Sequence, residues 1–177
     1  MVQNEIAKGV KLEKCTIEDV VVCKLEKNCF GLDNDIFIVN SYIKPANTSS
    51  KNSDISGFDT IRELDQFLNV LLSKGDVITC GDFNSRIGHD IDFIKGDKCG
   101  YESFIPLPED YIPQELTIRN SQDKKSNNYK RPFLEMLVNN ELHILNGRTL
   151  GDSYGDFTCI QTSGASVVDY FVISPNC

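Results

Sequence analysis

The densest chemistry in the chain lies in Gly81-Asp82-Phe83-Asn84, directly after a short apolar run ending at Cys80. In an extended backbone, residues two apart face the same side. Asp82 and Asn84 would then aim a carboxylate and an amide into one small volume, with Phe83 turned into the core. Gly81 has no side chain, so a ligand can approach the main chain there. An acid and an amide so placed suit the positioning of a water against a phosphoryl oxygen. They also suit an Asx turn that closes a strand. A second feature is Asp169, set in Val167-Val168-Asp169-Tyr170-Phe171-Val172-Ile173. A carboxylate within an apolar strand is costly unless paired or hydrogen-bonded. Such an acid orients a histidine, accepts backbone donors, or sits at a strand end with its head in solvent. The third is Tyr42, in Tyr42-Ile43-Lys44-Pro45, whose hydroxyl suits a phosphate if it is not simply a core or rim tyrosine.

Other catalytic signatures are absent from the sequence. There is no G-x-S-x-G, no G-x-x-x-x-G-K-[ST], no H-E-x-x-H and no dinucleotide fingerprint. The two histidines, His89 and His143, lack a matching serine or cysteine context; His143 reads as a core residue with a hydrogen-bond partner. Seven cysteines without a C-x-x-C argue against a zinc site, and their odd number favours free thiols in a reducing compartment.

The elements that must position these groups follow from periodicity. Val20–Leu25 and Ile36–Val39, separated by Gly31-Leu32-Asp33-Asn34-Asp35, read as neighbouring antiparallel strands. Phe58, Ile61, Leu64, Phe67, Leu68, Leu71 and Leu72 recur at helical spacing, with Ser56 or Asp59 as cap and Gly75 past the end. Asp76–Cys80 reads as a buried strand. Residues 88–130 have little periodicity and form a long loop. Pro132 suits a first helical position, followed by Phe133, Met136 and Leu137. Leu142–Leu145, Phe157–Ile160 and Val167–Ile173 complete about six strands beside two main helices, a mixed α/β domain.

With 177 residues the chain makes one domain, and 40% hydrophobic with 25% charged residues excludes a mainly disordered chain. No apolar run approaches the ~20 residues of a membrane span, and the N-terminus has no secretory stretch, so an intracellular protein is expected. A net charge of −8 argues against broad phosphate gripping, yet it allows an enzyme that presents acids to a divalent cation. The charge is uneven. Asp76 to Asp110 holds eight acids against three bases, and Arg119 to Arg131 holds five bases against one acid.

Taken in order, Tyr42-Ile43-Lys44-Pro45, Gly81-Asp82-Phe83-Asn84-Ser85-Arg86-Ile87-Gly88 and Ser166-Val167-Val168-Asp169-Tyr170-Phe171 resemble the endonuclease/exonuclease/phosphatase superfamily. The likeness is nearest to the nuclease-like domains of non-LTR retrotransposons. Phe30-Gly31-Leu32-Asp33-Asn34-Asp35, Leu145-Asn146-Gly147-Arg148 and Gly155-Asp156-Phe157-Thr158-Cys159 resemble the same subgroup, so the similarity runs from about Ile6 to Ser174.

The resemblance implies an α/β fold of two β-sheets packed as a sandwich and flanked by helices, here a single partial domain over residues 1–177. It implies metal-dependent phosphodiester hydrolysis of DNA-endonuclease type, with Mg²⁺ or Mn²⁺ as cofactor of the intact family domain. By motif, Asp82 would position or deprotonate the attacking water and hold the metal weakly. Asn84 would hold that water or a phosphate oxygen, Tyr42 would contact the phosphate, Arg86 would bind substrate, and Asp169 would orient a histidine. Two parts of the family pattern have no counterpart in the sequence. One is a metal-binding glutamate before Tyr42, for which Glu5, Glu13, Glu18 and Glu26 lack the context. The other is a Ser-Asp-His segment after Ser174-Pro175-Asn176-Cys177. The expectation is a domain cut at both ends, weak or inactive in catalysis. Its partner would be nucleic acid for the intact domain, in the nucleus if it acts on DNA. Self-association through exposed sheet edges is also expected. The alternative is a non-catalytic fragment that binds nucleic acid or protein weakly through the Arg119–Arg131 segment.

Overall fold

The computed structural model describes residues 4–45, 57–93 and 118–177. In chain order these form α1 (Asn4–Ala7), β1 (Val10–Glu13), β2 (Val20–Leu25), α2 (Lys27–Phe30), β3 (Ile36–Tyr42), α3 (Gly57–Leu72), β4 (Asp76–Asp82), α4 (Lys130–Asn139), β5 (His143–Ile144), β6 (Cys159–Gln161), β7 (Gly164–Ser166) and β8 (Asp169–Ile173). The fold is mixed α/β. Six strands make one mixed sheet in the order β1-β2-β3-β4-β8-β5, and β6 pairs with β7 in a separate two-stranded sheet.

β2 and β3 pair antiparallel, as their β-branched runs lead one to expect. β3 and β4 pair in parallel, and the long connection this requires carries α3. β8 returns antiparallel beside β4, and β5 closes that edge. Alternation divides the sheet into two faces. Val22, Phe37, Val39, Val77, Tyr170 and Val172 are buried on one of them. Over it lie α3, through Ile61, Leu64, Leu68 and Leu71, and α4, through Phe133, Met136 and Leu137.

The differences from sequence expectation have local causes. α3 begins at Gly57 with Asp59 in its first turn, bonded to Arg62; Ser56 lies outside the described residues, as does much of the loop expected over 88–130. α4 starts two residues before Pro132, which is tolerated because first-turn amides have no intrahelical acceptor. β1 is short and exposed, so it lacks the alternation that marks a strand. The run expected as one strand over Val167–Ile173 is only partly so. β7 ends at Ser166, and β8 joins the main sheet at Asp169. Between them the Val167 amide donates to the Asp123 carboxylate, and the Val168 and Asp169 amides donate to the Thr158 hydroxyl. Those side chains replace the ladder while the backbone crosses from one sheet to the other.

His143 is buried on the edge strand, but neither ring nitrogen has a hydrogen-bond partner among the described residues, contrary to the partnered histidine the sequence suggested. Burial lowers its basicity most, and the nearby Arg148 charge lowers it further, against the opposing pull of Asp92 and Glu141. A histidine whose folded pKa lies below its unfolded one leaves stability intact above about pH 6.5 and removes it as the pH falls below that value. His143→Leu is therefore expected to flatten the acid-side loss of thermal stability. Parallel melting curves for both proteins from neutral to mildly acidic pH would refute this.

Candidate active site

Three of the residues singled out by sequence meet in one cross-strand row. Tyr42 pairs with Asp82 in the parallel ladder, and Asp82 pairs with Asp169 in the antiparallel one. Directly paired residues present their side chains to the same face. That face is the one opposite the helices, since the flanking Ser41, Phe83 and Tyr170 are all buried on the helix side. Main-chain bonds continue past the row, from the Ile43 amide to the Asp82 carbonyl (2.8 Å) and from the Phe83 amide to the Val168 carbonyl (2.9 Å). The row is thus held in register at the ends of β3 and β4 and the start of β8.

Gly81 matters here for a different reason from ligand approach. Its φ is +135°, and a Cβ built on it would lie 2.0 Å from the Ser41 carbonyl oxygen. The close neighbour is β3 itself. A side chain at Gly81 would push apart the two strands that carry Tyr42 and Asp82.

Asp82 is half-buried and meets Asp169 across the ladder. Burial pushes its carboxyl above the ordinary range. The Asn84 amide, 2.8 Å from Oδ1, opposes this, and the Asp169 charge adds to it. The Asx turn therefore forms and does not remove Asp82 from the row. Asn84 lies just past the strand with φ 47°, and its side-chain Nδ2 donates to the Ile43 carbonyl at 2.8 Å. That bond ties the end of β4 to the end of β3. Asn84 also lines a hollow of about 310 Å³ with Pro45, Asn127, Asn128 and Tyr129.

Asp169 is not sunk among apolar residues. Alternation turns it to the face opposite the helices, half-exposed, and no described residue donates a hydrogen bond to its carboxylate. No described histidine pairs with it. Tyr42 is 44% exposed. Arg86, by contrast, is committed elsewhere. It donates to both Asp123 oxygens (2.8 and 2.6 Å) and to the Ala165 carbonyl at 3.3 Å, which anchors β7 to the loop after β4. The basic stretch around it is also largely used. Arg119 is buried and donates to the Gly88 and Asp90 carbonyls, Lys130 pairs with Asp90, and Arg131 pairs with Glu135. Lys124 and Lys125 are exposed and carry no ion pair among the described residues.

Asn127 is a supporting residue that sequence reasoning missed. Its Nδ2 donates to the Asn84 carbonyl (2.7 Å), and its Oδ1 accepts from the Arg86 and Tyr129 amides (3.1 and 3.2 Å). The Tyr129 hydroxyl then donates to the Lys44 carbonyl. Asn127 sits in an aperiodic polar stretch, where only its long-range contacts give it meaning.

The donor set can be judged against a divalent cation. Among the described residues no group of three His, Cys, Asp or Glu side chains could hold one. Two carboxylates adjoin in the row, one oxygen of Asp82 is taken by an amide, and no described cation offsets them. Mg²⁺ keeps several waters and needs only one or two protein carboxylates, so the pair fits a weakly held, mostly hydrated ion.

Asp82→Asn keeps the Asx-turn oxygen and removes the charge. A carboxyl whose folded pKa is raised costs stability as pH climbs through the ordinary value towards the folded one, so the cost is present at neutral pH. After discounting for solvent screening, the variant should gain up to about 1 kcal/mol, or about 2–4 °C in Tm. A Tm at or below that of the parent would contradict a cost of holding Asp82 charged there, which comes first from its burial and then from the Asp169 charge.

No family model matches the chain, and no curated protein matches it. No helix among the described residues is long and apolar enough to cross a membrane.

Proposed function

We propose that the chain is a metal-dependent phosphodiester hydrolase of DNA-endonuclease type. In this reading the six-stranded sheet is one layer of the two-sheet sandwich of the endonuclease/exonuclease/phosphatase superfamily. The observation that carries it is the single row Tyr42–Asp82–Asp169, with Asn84 tied to Asp82 at its end.

Asp82 and Asp169 would hold Mg²⁺ or Mn²⁺ with its water shell, and the ion would offset charge on the phosphoryl oxygens. Asp82, with its carboxyl raised by burial, is suited to accept a proton from a water it positions. Asn84 Oδ1 has no partner among the described residues, since the side chain's described bond is made by Nδ2, and it can orient that water. Tyr42 presents an exposed hydroxyl one strand away, in reach of a phosphate oxygen. Phosphoryl transfer asks for in-line positioning and charge neutralisation, which these groups supply without a covalent step. With two carboxylates and no histidine in the row, the rate is expected to be low.

The test is nicking of supercoiled plasmid by the full chain with Mg²⁺ or Mn²⁺. Nicking should appear in the parent and fall to background in Asp82→Ala; equal nicking by both, or none by either, defeats the enzyme reading. The exposed Lys124 and Lys125, which carry no ion pair among the described residues, favour a second reading, a non-catalytic module that binds nucleic acid weakly. That reading expects salt-dependent DNA binding that Asp82→Ala leaves unchanged.

A further inference from the structure

Residues 123–129 cross the ends of the three strands that carry the row. Asp123 accepts from the Val167 amide at 3.1 Å, just before β8. Ser126 bridges Ile87, and Asn127 donates to the Asn84 carbonyl at 2.7 Å, both just after β4. The Tyr129 hydroxyl donates to the Lys44 carbonyl at 3.0 Å, just after β3. Lys124 and Lys125 therefore stand between an anchor two residues before Asp169 and one two residues after Asp82. Both are exposed and carry no ion pair among the described residues. The neighbouring bases Lys44, Arg86, Lys130 and Arg131 each pair with a carboxylate, and Arg119 is buried against carbonyls.

We propose that Lys124 and Lys125 hold the phosphates next to the attacked one, so that the row takes a DNA strand and not a small isolated phosphoester. This rests on the hydrolase reading of the row. The register singles out the pair. Val10, Leu25, Ile36 and Asp76 are successive partners at the opposite end of the sheet. Lys8, Lys27 and Lys74, which likewise have no ion pair among the described residues, each lie two residues from that far end. Lys14 follows the edge strand β1, three strands from β4. At the end that carries the row, the free lysines among the described residues are Lys124 and Lys125. A chain of net charge −8 offers a polyanion no diffuse attraction, and Asp82 and Asp169 repel it locally. A metal ion at the row offsets charge on the one phosphate it touches. The phosphates beside that one need cations of their own, and ammonium groups on long flexible stems serve them as point charges.

The experiment is fluorescence anisotropy of a labelled DNA duplex with the full chain, without added metal, from about 20 to about 200 mM salt. The variants are Lys124→Gln/Lys125→Gln and, with the same change in net charge at the far end, Lys8→Gln/Lys74→Gln. Each phosphate contact contributes about 0.9 to the slope of log affinity against log salt. The slope should fall by about 1–2 in the first variant and stay at the parent value in the second. In plasmid nicking with Mg²⁺, the first variant should raise KM and keep kcat. Its hydrolysis of bis(para-nitrophenyl) phosphate, which has no neighbouring phosphate, should match the parent. Equal slopes in the two variants, or a parent that binds no DNA at the lowest salt, overturns the proposal. So does an equal loss on plasmid and small diester. A parent that binds with the expected slope but nicks nothing leaves the phosphate contacts standing and removes the hydrolase reading alone.

Discussion

Arg148→Met is expected to lower stability by about 3–5 kcal/mol, a large part of the 5–15 kcal/mol typical of a domain. Its partner Asp92 has a fully buried side chain, and the Arg148 side chain is 8% exposed. Two charge-assisted bonds of 2.6 and 2.7 Å join them, and a third reaches Asp92 from the Ile144 amide. Arg148 also donates to the Ile144 carbonyl, so the pair fastens the segment after β4 to the edge strand β5. Without the guanidinium, Asp92 keeps its burial and loses its counter-charge. Burial opposes ionisation of Asp92 most strongly. The hydrogen bonds from Arg148 and Ile144, with the Arg148 charge, outweigh it and hold the carboxyl below the ordinary range. This contribution is therefore complete above about pH 4 and is lost as pH falls through the lower folded value. Urea unfolding at neutral pH should show the full loss in Arg148→Met, shrinking towards strongly acidic pH. The double variant Asp92→Leu/Arg148→Met should recover part of it, because neither charge of the pair is then left buried without the other. A loss under about 1 kcal/mol in the single variant would show that the pair is solvated.

Phe83→Ala is the second large effect, about 3–5 kcal/mol. Phe83 is fully buried, its ring centroid 4.8 Å from that of Phe133 and 6.3 Å from that of Tyr170. It lies between Asp82 and Asn84 in the chain, so the cavity opens directly beneath the candidate site. Nicking should fall even under conditions where the variant stays folded, because the loosened turn no longer fixes Asp82. Chemical denaturation gives the first quantity, and activity at low temperature the second. Full activity in a folded Phe83→Ala protein would separate the turn from the chemistry.

How far the sequence could be read depended on the range of the interactions involved. α3 was legible because its apolar residues repeat at helical spacing, and β2, β3 and β4 because each is a short apolar run rich in β-branched residues. The row was half legible. Tyr42, Asp82 and Asp169 stand at strand ends in short recognisable stretches, but their adjacency comes from the strand order β3-β4-β8, which local pattern does not encode. Phe83 facing the core followed from alternation alone. The role of Gly81 did not, since the atom it must avoid, the Ser41 carbonyl, belongs to another strand. Asp123 and Asn127 escaped for the same reason, and Arg86, expected to bind substrate, is instead tied to them, partners some forty residues away. His143 was placed in the core by its apolar neighbours, but no local pattern could show that its nitrogens lack partners there.

The proposed chemistry requires Tyr42, Asp82 and Asp169 to act as one site. Paramagnetic broadening of backbone amide resonances by added Mn²⁺ tests this without requiring turnover. The predicted result is broadening concentrated at Tyr42, Asp82 to Asn84 and Asp169, and weakened in Asp82→Asn. Broadening centred elsewhere, or unchanged in that variant, would contradict it.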